Sequence, residues 1–180
     1  VQERIAGLTF TGGAFTNITH DNLDYNKTFD EYIKAKKRFF DLLPSNAFAL
    51  TNSDDRNGMV MMQNTKASVK TYALKSMADY KCRIIESGFD GMHLNIDNVD
   101  IWTEFIGEFN AYNLLAVYAV ARQLGLEKEE DLRILSSLKP VSGRFECISS
   151  SDGVVAIVDY AHTPDALINV LNTINKIRQG

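Results

Sequence analysis

The chain is 180 residues long, 45% hydrophobic and 23% charged, with a formal net charge of -4. That composition suits a globular core, and the acidic balance points away from nucleic acid or an anionic membrane as the main partner. Cys82 and Cys147 stand far apart with no CxxC, which suggests neither a disulfide scaffold nor a zinc site. No run of about 18 apolar residues reads as a membrane span. No signal peptide opens the chain, so the expected setting is reduced and cytoplasmic. The chain opens on Val1 rather than Met and closes on Gly180 straight after a helical pattern, which reads as a piece of a longer protein.

The first element in chain order is the end of a short buried strand at 14–17, after the Gly12-Gly13 pair. A helix over 29–43 follows: Thr28 and Glu31 form an S/T-x-x-E capping box, and Pro44 stops the run. At about 100° per residue, Phe29, Tyr32, Ile33, Phe39, Phe40 and Leu43 fall within roughly 60° of Lys36. Lys36 thus sits at the centre of the apolar stripe, whereas Lys34 and Lys37 read as solvated. An ammonium buried among aromatics is costly unless it is paired or gives up its charge. The bland alternative is a lysine whose stem packs while its head reaches water.

AFALTN at 47–52 reads as a second strand running into SDDRNG, a turn cluster. The strand-helix-strand order favours an α/β sheet. Between 68 and 107 the pattern changes to short, partly alternating runs (SVKTYAL, YKCRIIES, GMHLNID, IWTEFIG), which read as a small antiparallel sheet or meander. Helical spacing returns over 109–124, and a further helix over 128–138 ends before Pro140. GRFECISS and VVAIVDYAH read as strands. TPDALINVLNTINKI reads as a helix with Thr163 at its N-cap and Pro164 at its first position. The best domain boundary is Lys139-Pro140, giving units 1–138 and 139–180.

No nucleophile elbow, HExxH, GxxxxGK[ST] or GxGxxG is present. Polar residues instead collect at element ends: His20, Asp21 and Asn22 after the first strand, Asn110 and Asn113 at the start of the long helix, Arg144 after Pro140, and Asp159 and His162 after the last strand. The carboxyl ends of strands are where α/β sheets bind ligands. Each residue also has a mundane reading: Asn110 as an N-cap, His162 as a capping or core histidine, Asp159 as a turn residue.

Taken together, TNITHDNLDY, YIKAKKRFF, LTNSDD, GEFNAYNLLAVYAVA, KPVSGRFE and VVAIVDYAHTPDAL resemble the Mur ligases of peptidoglycan synthesis over nearly the whole chain. DYAHTPDAL and GxFNxxN are the sharpest motifs. The DYAHTPDAL run points to the branch that adds the third amino acid of the stem peptide. The resemblance implies an α/β fold: the later part of a central ATPase domain with a small antiparallel subsheet, then the first strands and helix of a Rossmann-like C-terminal domain. The phosphate loop is missing, so this stretch alone is expected not to turn over ATP.

The resemblance also implies residue roles. Lys36, in YIKAKK, would carry a carbamate that helps hold Mg²⁺. Gln2 and Arg4, in VQER, match contacts to the UDP-muramoyl peptide. Asn110 and Asn113 match adenine-side asparagines, Arg144 an ATP-contacting arginine, and Asp159 an aspartate that accepts from ribose hydroxyls. His162 belongs to the same motif. The family usually has histidines where this chain has Asn22 and Asn26; Asn22 is the candidate metal ligand, through its carbonyl oxygen. The implied reaction is ATP-dependent amide formation through an acyl phosphate. It would join meso-diaminopimelate or L-lysine to UDP-N-acetylmuramoyl-L-alanyl-D-glutamate in a monomeric enzyme. The alternatives are another amide ligase of the superfamily, resembling folylpolyglutamate or cyanophycin synthetase, and a non-catalytic scaffold derived from a ligase.

Overall fold

A computed structural model describes residues 7–18 and 29–179. Gln2, Arg4, His20, Asp21, Asn22, Asn26 and the Thr28 half of the expected capping box lie outside them. Among the described residues, strands β1 (Gly12–Phe15), β2 (Phe48–Asn52), β3 (Ser68–Ala73), β4 (Tyr80–Gly88), β5 (Gly91–Ile96) and β6 (Val99–Thr103) form one six-stranded sheet in sequential order. β1 to β4 run parallel, and β4, β5 and β6 form an antiparallel meander.

The expected antiparallel subsheet is present but starts later than the sequence suggests. SVKTYAL belongs to β3, which pairs in parallel with β2 along its length and with β4 through only Tyr72↔Tyr80 and Ala73↔Lys81. Alternation reports which face a residue takes; it does not report the direction of the partner strand. The β5–β6 turn is legible: Asp97 and Asn98 have φ of 46° and 67° and sit between the paired Ile96 and Val99. Two positive φ angles in a two-residue loop match the right-handed strand twist.

β2 is buried on both faces. Phe48 and Leu50 enter one core with Tyr72, Leu94, Leu115 and Leu132, while Ala49 enters the other with Phe40, Leu43, Met61 and Met62. Period-2 alternation thus sends successive side chains into two helix layers. α1 (Phe29–Asp41) and α2 (Gly58–Met62) cover one face; α3 (Glu108–Gln123) and α4 (Lys128–Ser137) cover the other. α2 lies inside what reads as a turn cluster and its continuation. Its start presses so closely on β2 that a Cβ at Gly58 would overlap the Asn52 carbonyl oxygen.

The last segment forms the hairpin β7 (Glu146–Ser149) and β8 (Val155–Val158), followed by α5 (Pro164–Gln179). The Ala166 N–H donates to Thr163 Oγ1 at 3.3 Å, so Thr163 caps α5 and Pro164 takes its first position, as expected.

Candidate nucleotide cleft

The carboxyl ends of β1, β2 and β3 open into a cleft of about 1020 Å³. Thr16 and Asn17 line it from the end of β1, Asn52, Asp54 and Asp55 from the end of β2, and Lys75 from the end of β3. α3 adds Asn110, Tyr112 and Asn113; the last segment adds Arg144, Asp159 and one face of α5. Four of the five expected ATP-side residues therefore meet, although up to 49 positions separate them in the chain (110 to 159). His162 is exposed and does not line the cleft. Its Nδ1 lies 2.9 Å from the Tyr160 carbonyl oxygen.

Asn110 is not the N-cap of α3: Gly107 holds that place, with φ of 93° and no side-chain cap. Asn110 lies in the first turn. Its Nδ2 donates to the Ile106 carbonyl at 2.8 Å, and its Oδ1 accepts from Asn113 Nδ2 at 3.4 Å. Asn113 is exposed. The pair thus brings amide donors and acceptors to the cleft wall.

Asp159 accepts from the backbone N–H of Phe145 and of Ala161, both at 2.7 Å. Phe145 is a buried residue held at φ 47°, a conformation costing a side-chain-bearing residue roughly 1–2 kcal/mol. The Asp159 bond and the edge contact of Phe145 with Phe109, centroids 5.9 Å apart, hold it there. Arg144, the preceding residue, lines the cleft, and its guanidinium lies 4.9 Å from the centre of the exposed Tyr160 ring. The carboxylate also retains acceptor capacity that can meet hydroxyl donors.

Residues that sequence reasoning left without a role brace this wall. Asp54 accepts from the N–H groups of Leu74, Lys75 and Ser76 at 2.8–2.9 Å and from the Tyr112 hydroxyl at 2.7 Å. Burial works to raise its pKa, but the hydrogen bonds from Ser76, Lys75 and Tyr112 outweigh it and hold the carboxyl well below the usual range. Burial and the Asp54 carboxylate push the Tyr112 hydroxyl well above its ordinary pKa, so it stays a neutral donor. Glu108 joins Lys75 at 2.6 Å and Lys176 of α5 at 3.7 Å, spanning the lip. The only local signal for Asp54 was its place in a turn after a strand.

The burial expected of Lys36 is not found: Lys36 is exposed, and it does not line the cleft. Its Nζ lies 5.0 Å from the centre of the Tyr32 ring. Phe40 is buried on α1 and Leu43 just beyond it, whereas Phe29, Tyr32, Ile33 and Phe39 are only half-buried. The core thus lies under the later turns, and a helical side chain leans toward the N-terminus, away from it. Lys37, expected to be solvated, is the more covered and pairs with Asp41. Among the described residues no group of three or more His, Cys, Asp or Glu could hold a metal ion. Asn22 lies outside them.

A sheet covered by helices on both faces, with a polar cleft at the carboxyl ends of its parallel strands, defines an α/β protein with a candidate ligand site at the usual place for such sheets. Residues 1–121 match the family description "Mur ligase middle domain" and residues 143–180 match "Mur ligase, glutamate ligase domain". The chain belongs to the Mur ligase family. It is 60% identical over 179 residues to a UDP-N-acetylmuramoyl-L-alanyl-D-glutamate--2,6-diaminopimelate ligase of Phocaeicola vulgatus, covering 99% of this chain and 37% of that protein. The protein of the same name from Bacteroides thetaiotaomicron is 58% identical with the same coverage. A solved structure of a ligase with that name superposes with a TM-score of 0.80 at 30% identity, over 97% of this chain and 37% of that one. The chain thus spans about 37% of the length of the curated relatives it matches.

Proposed function

We propose that this chain is the nucleotide-facing part of an ATP-dependent amide ligase that joins meso-diaminopimelate to UDP-N-acetylmuramoyl-L-alanyl-D-glutamate. The observation that carries the reading is the meeting of Asn110 and Asn113 with Arg144 and Asp159 in one cleft. The relatives' names favour diaminopimelate over L-lysine as the amine. ATP would supply the phosphoryl group that activates the substrate carboxylate. The chain's own part is positional: Asn110 and Asn113 face the base, Asp159 the ribose hydroxyls, and Arg144 lends a charge that cannot be lost. His162 stands beside this set through Tyr160 rather than in it. Gln2 and Arg4 are assigned to the muramoyl substrate on the resemblance alone.

A carbamate on Lys36, and Mg²⁺ held by it and by Asn22, likewise rest on the resemblance and not on burial. The domain boundary is proposed at 138/139. Leu132 and Leu135 of α4 pack in the same core as Leu115 of α3, which supports assigning α4 to the first unit.

The test is ADP release by the intact protein with the muramoyl dipeptide and either amine. Release that requires both the dipeptide and diaminopimelate is expected; release indifferent to the muramoyl substrate sinks the reading. In the same assay Lys36→Ala and Lys36→Arg are both expected to lose most ligation, because guanidinium cannot form a carbamate. Near-normal activity of Lys36→Arg removes the carbamate assignment.

A further inference from the structure

We infer that Tyr112 and Asp54 form a positioning pair that sets the aim of the α3 asparagines into the cleft. The inference rests on the proposed nucleotide role of Asn110 and Asn113.

The first turn of α3 has a specific need. Its N-cap is Gly107, which lacks a side chain, so no capping group locks the entry of the helix. Of the two asparagines that line the cleft, Asn110 lies in that turn, its Nδ2 on the Ile106 carbonyl at 2.8 Å, and Asn113 lies in the next. Asn110 and Asn113 brace each other only at 3.4 Å. Tyr112 directly precedes Asn113, and its hydroxyl reaches 2.7 Å to Asp54, 58 positions away in the chain. Rotation of α3 about its axis would break this bond.

Asp54 is a fixed point for such a bond. Three successive N–H groups, of Leu74, Lys75 and Ser76, hold its two oxygens at 2.8–2.9 Å. The carboxylate therefore ties the end of β2 to the end of β3, and the phenol ties both to α3. A bond from a neutral hydroxyl to an ionised, partly buried acceptor is among the stronger kinds and is directional. The Lys75–Glu108 ion pair joins the end of β3 to α3, but both partners are exposed enough for water and salt to weaken it. Tyr112 itself lines the cleft; the role assigned to it is positioning, through Asn113.

The experiment measures ATP and muramoyl-dipeptide dissociation constants by calorimetry on the intact protein. Wild type, Tyr112→Phe, Asn113→Ala and the double variant are compared, each with its melting temperature. Tyr112→Phe removes one oxygen and leaves Asp54 its three backbone partners, so the fold is expected to persist. ATP affinity is expected to fall roughly tenfold, the effect of losing one charged hydrogen bond, with dipeptide affinity unchanged. The double variant should bind ATP no more weakly than Asn113→Ala, because residues acting through one another are not additive. Weakening in Asn113→Ala but not in Tyr112→Phe overturns the positioning role and leaves the site standing. Additive losses, or equal losses for both ligands with a lower melting temperature, also overturn it. No loss in Asn113→Ala removes the site assignment and this inference with it.

Discussion

Asp131 carries a cost that the described residues offset only in part. It is only 3% exposed in the first turns of α4, and its Oδ2 has no hydrogen-bond partner. Burial raises its pKa, opposed by the Arg122 charge. A carboxyl harder to ionise in the folded than in the unfolded chain contributes stability that is complete below the unfolded value, about pH 4, and is lost as pH rises through the raised folded value. Asp131→Asn is therefore expected to raise the melting temperature at pH 7 by about 2–4 °C. The gain should vanish in thermal scans below about pH 4, where the aspartate is protonated in both states. A gain that does not change with pH would show that packing, not charge, separates the variants. The same distinction between facing and depth explains Lys36. Helical angles put it on the apolar side of α1; they do not report that the core ends before reaching it.

Elements with local signatures were legible. α1 has its acidic first turn and the Pro44 stop, α5 its Thr163-Pro164 start, and β2 its continuous apolar run between turn residues. What escaped depends on distant partners. The direction of β3 is set by β2, and the helix GMVMM is too short for a period to emerge. Asp54 gains its meaning from N–H groups some 20 positions on and from Tyr112. The α2–β2 contact yields an element-scale prediction. Gly58→Ala would drive a methyl into the Asn52 carbonyl, and Asn52 is buried, with its Nδ2 on the Thr16 carbonyl at 3.0 Å. The backbone must shift, at roughly 1–3 kcal/mol. Denaturant titration should show a lower midpoint with unchanged slope, and ATP affinity should fall because Asn52 lines the cleft. An unchanged midpoint would mean that α2 can slide freely.

At the scale of the molecule, the proposed site is a seam. One wall comes from the sheet and α3, the other from the segments flanking the β7–β8 hairpin (Val141, Arg144 and Asp159) and α5; Glu108, paired with Lys75 on its own wall, bridges the two through Lys176. The strand-end polar residues were visible as a set in the sequence; that Asn113 and Asp159 share one space required the fold. No helix among the described residues is long and apolar enough to cross a membrane. Photo-labelling of the intact protein with an azido-adenine analogue of ATP tests directly whether the seam is the nucleotide site. Labelled peptides are expected from residues 108–123 and 139–162, with labelling suppressed by unlabelled ATP. Competable labelling confined to α1 or to the β4–β6 meander, with none on either wall of the seam, would contradict the account.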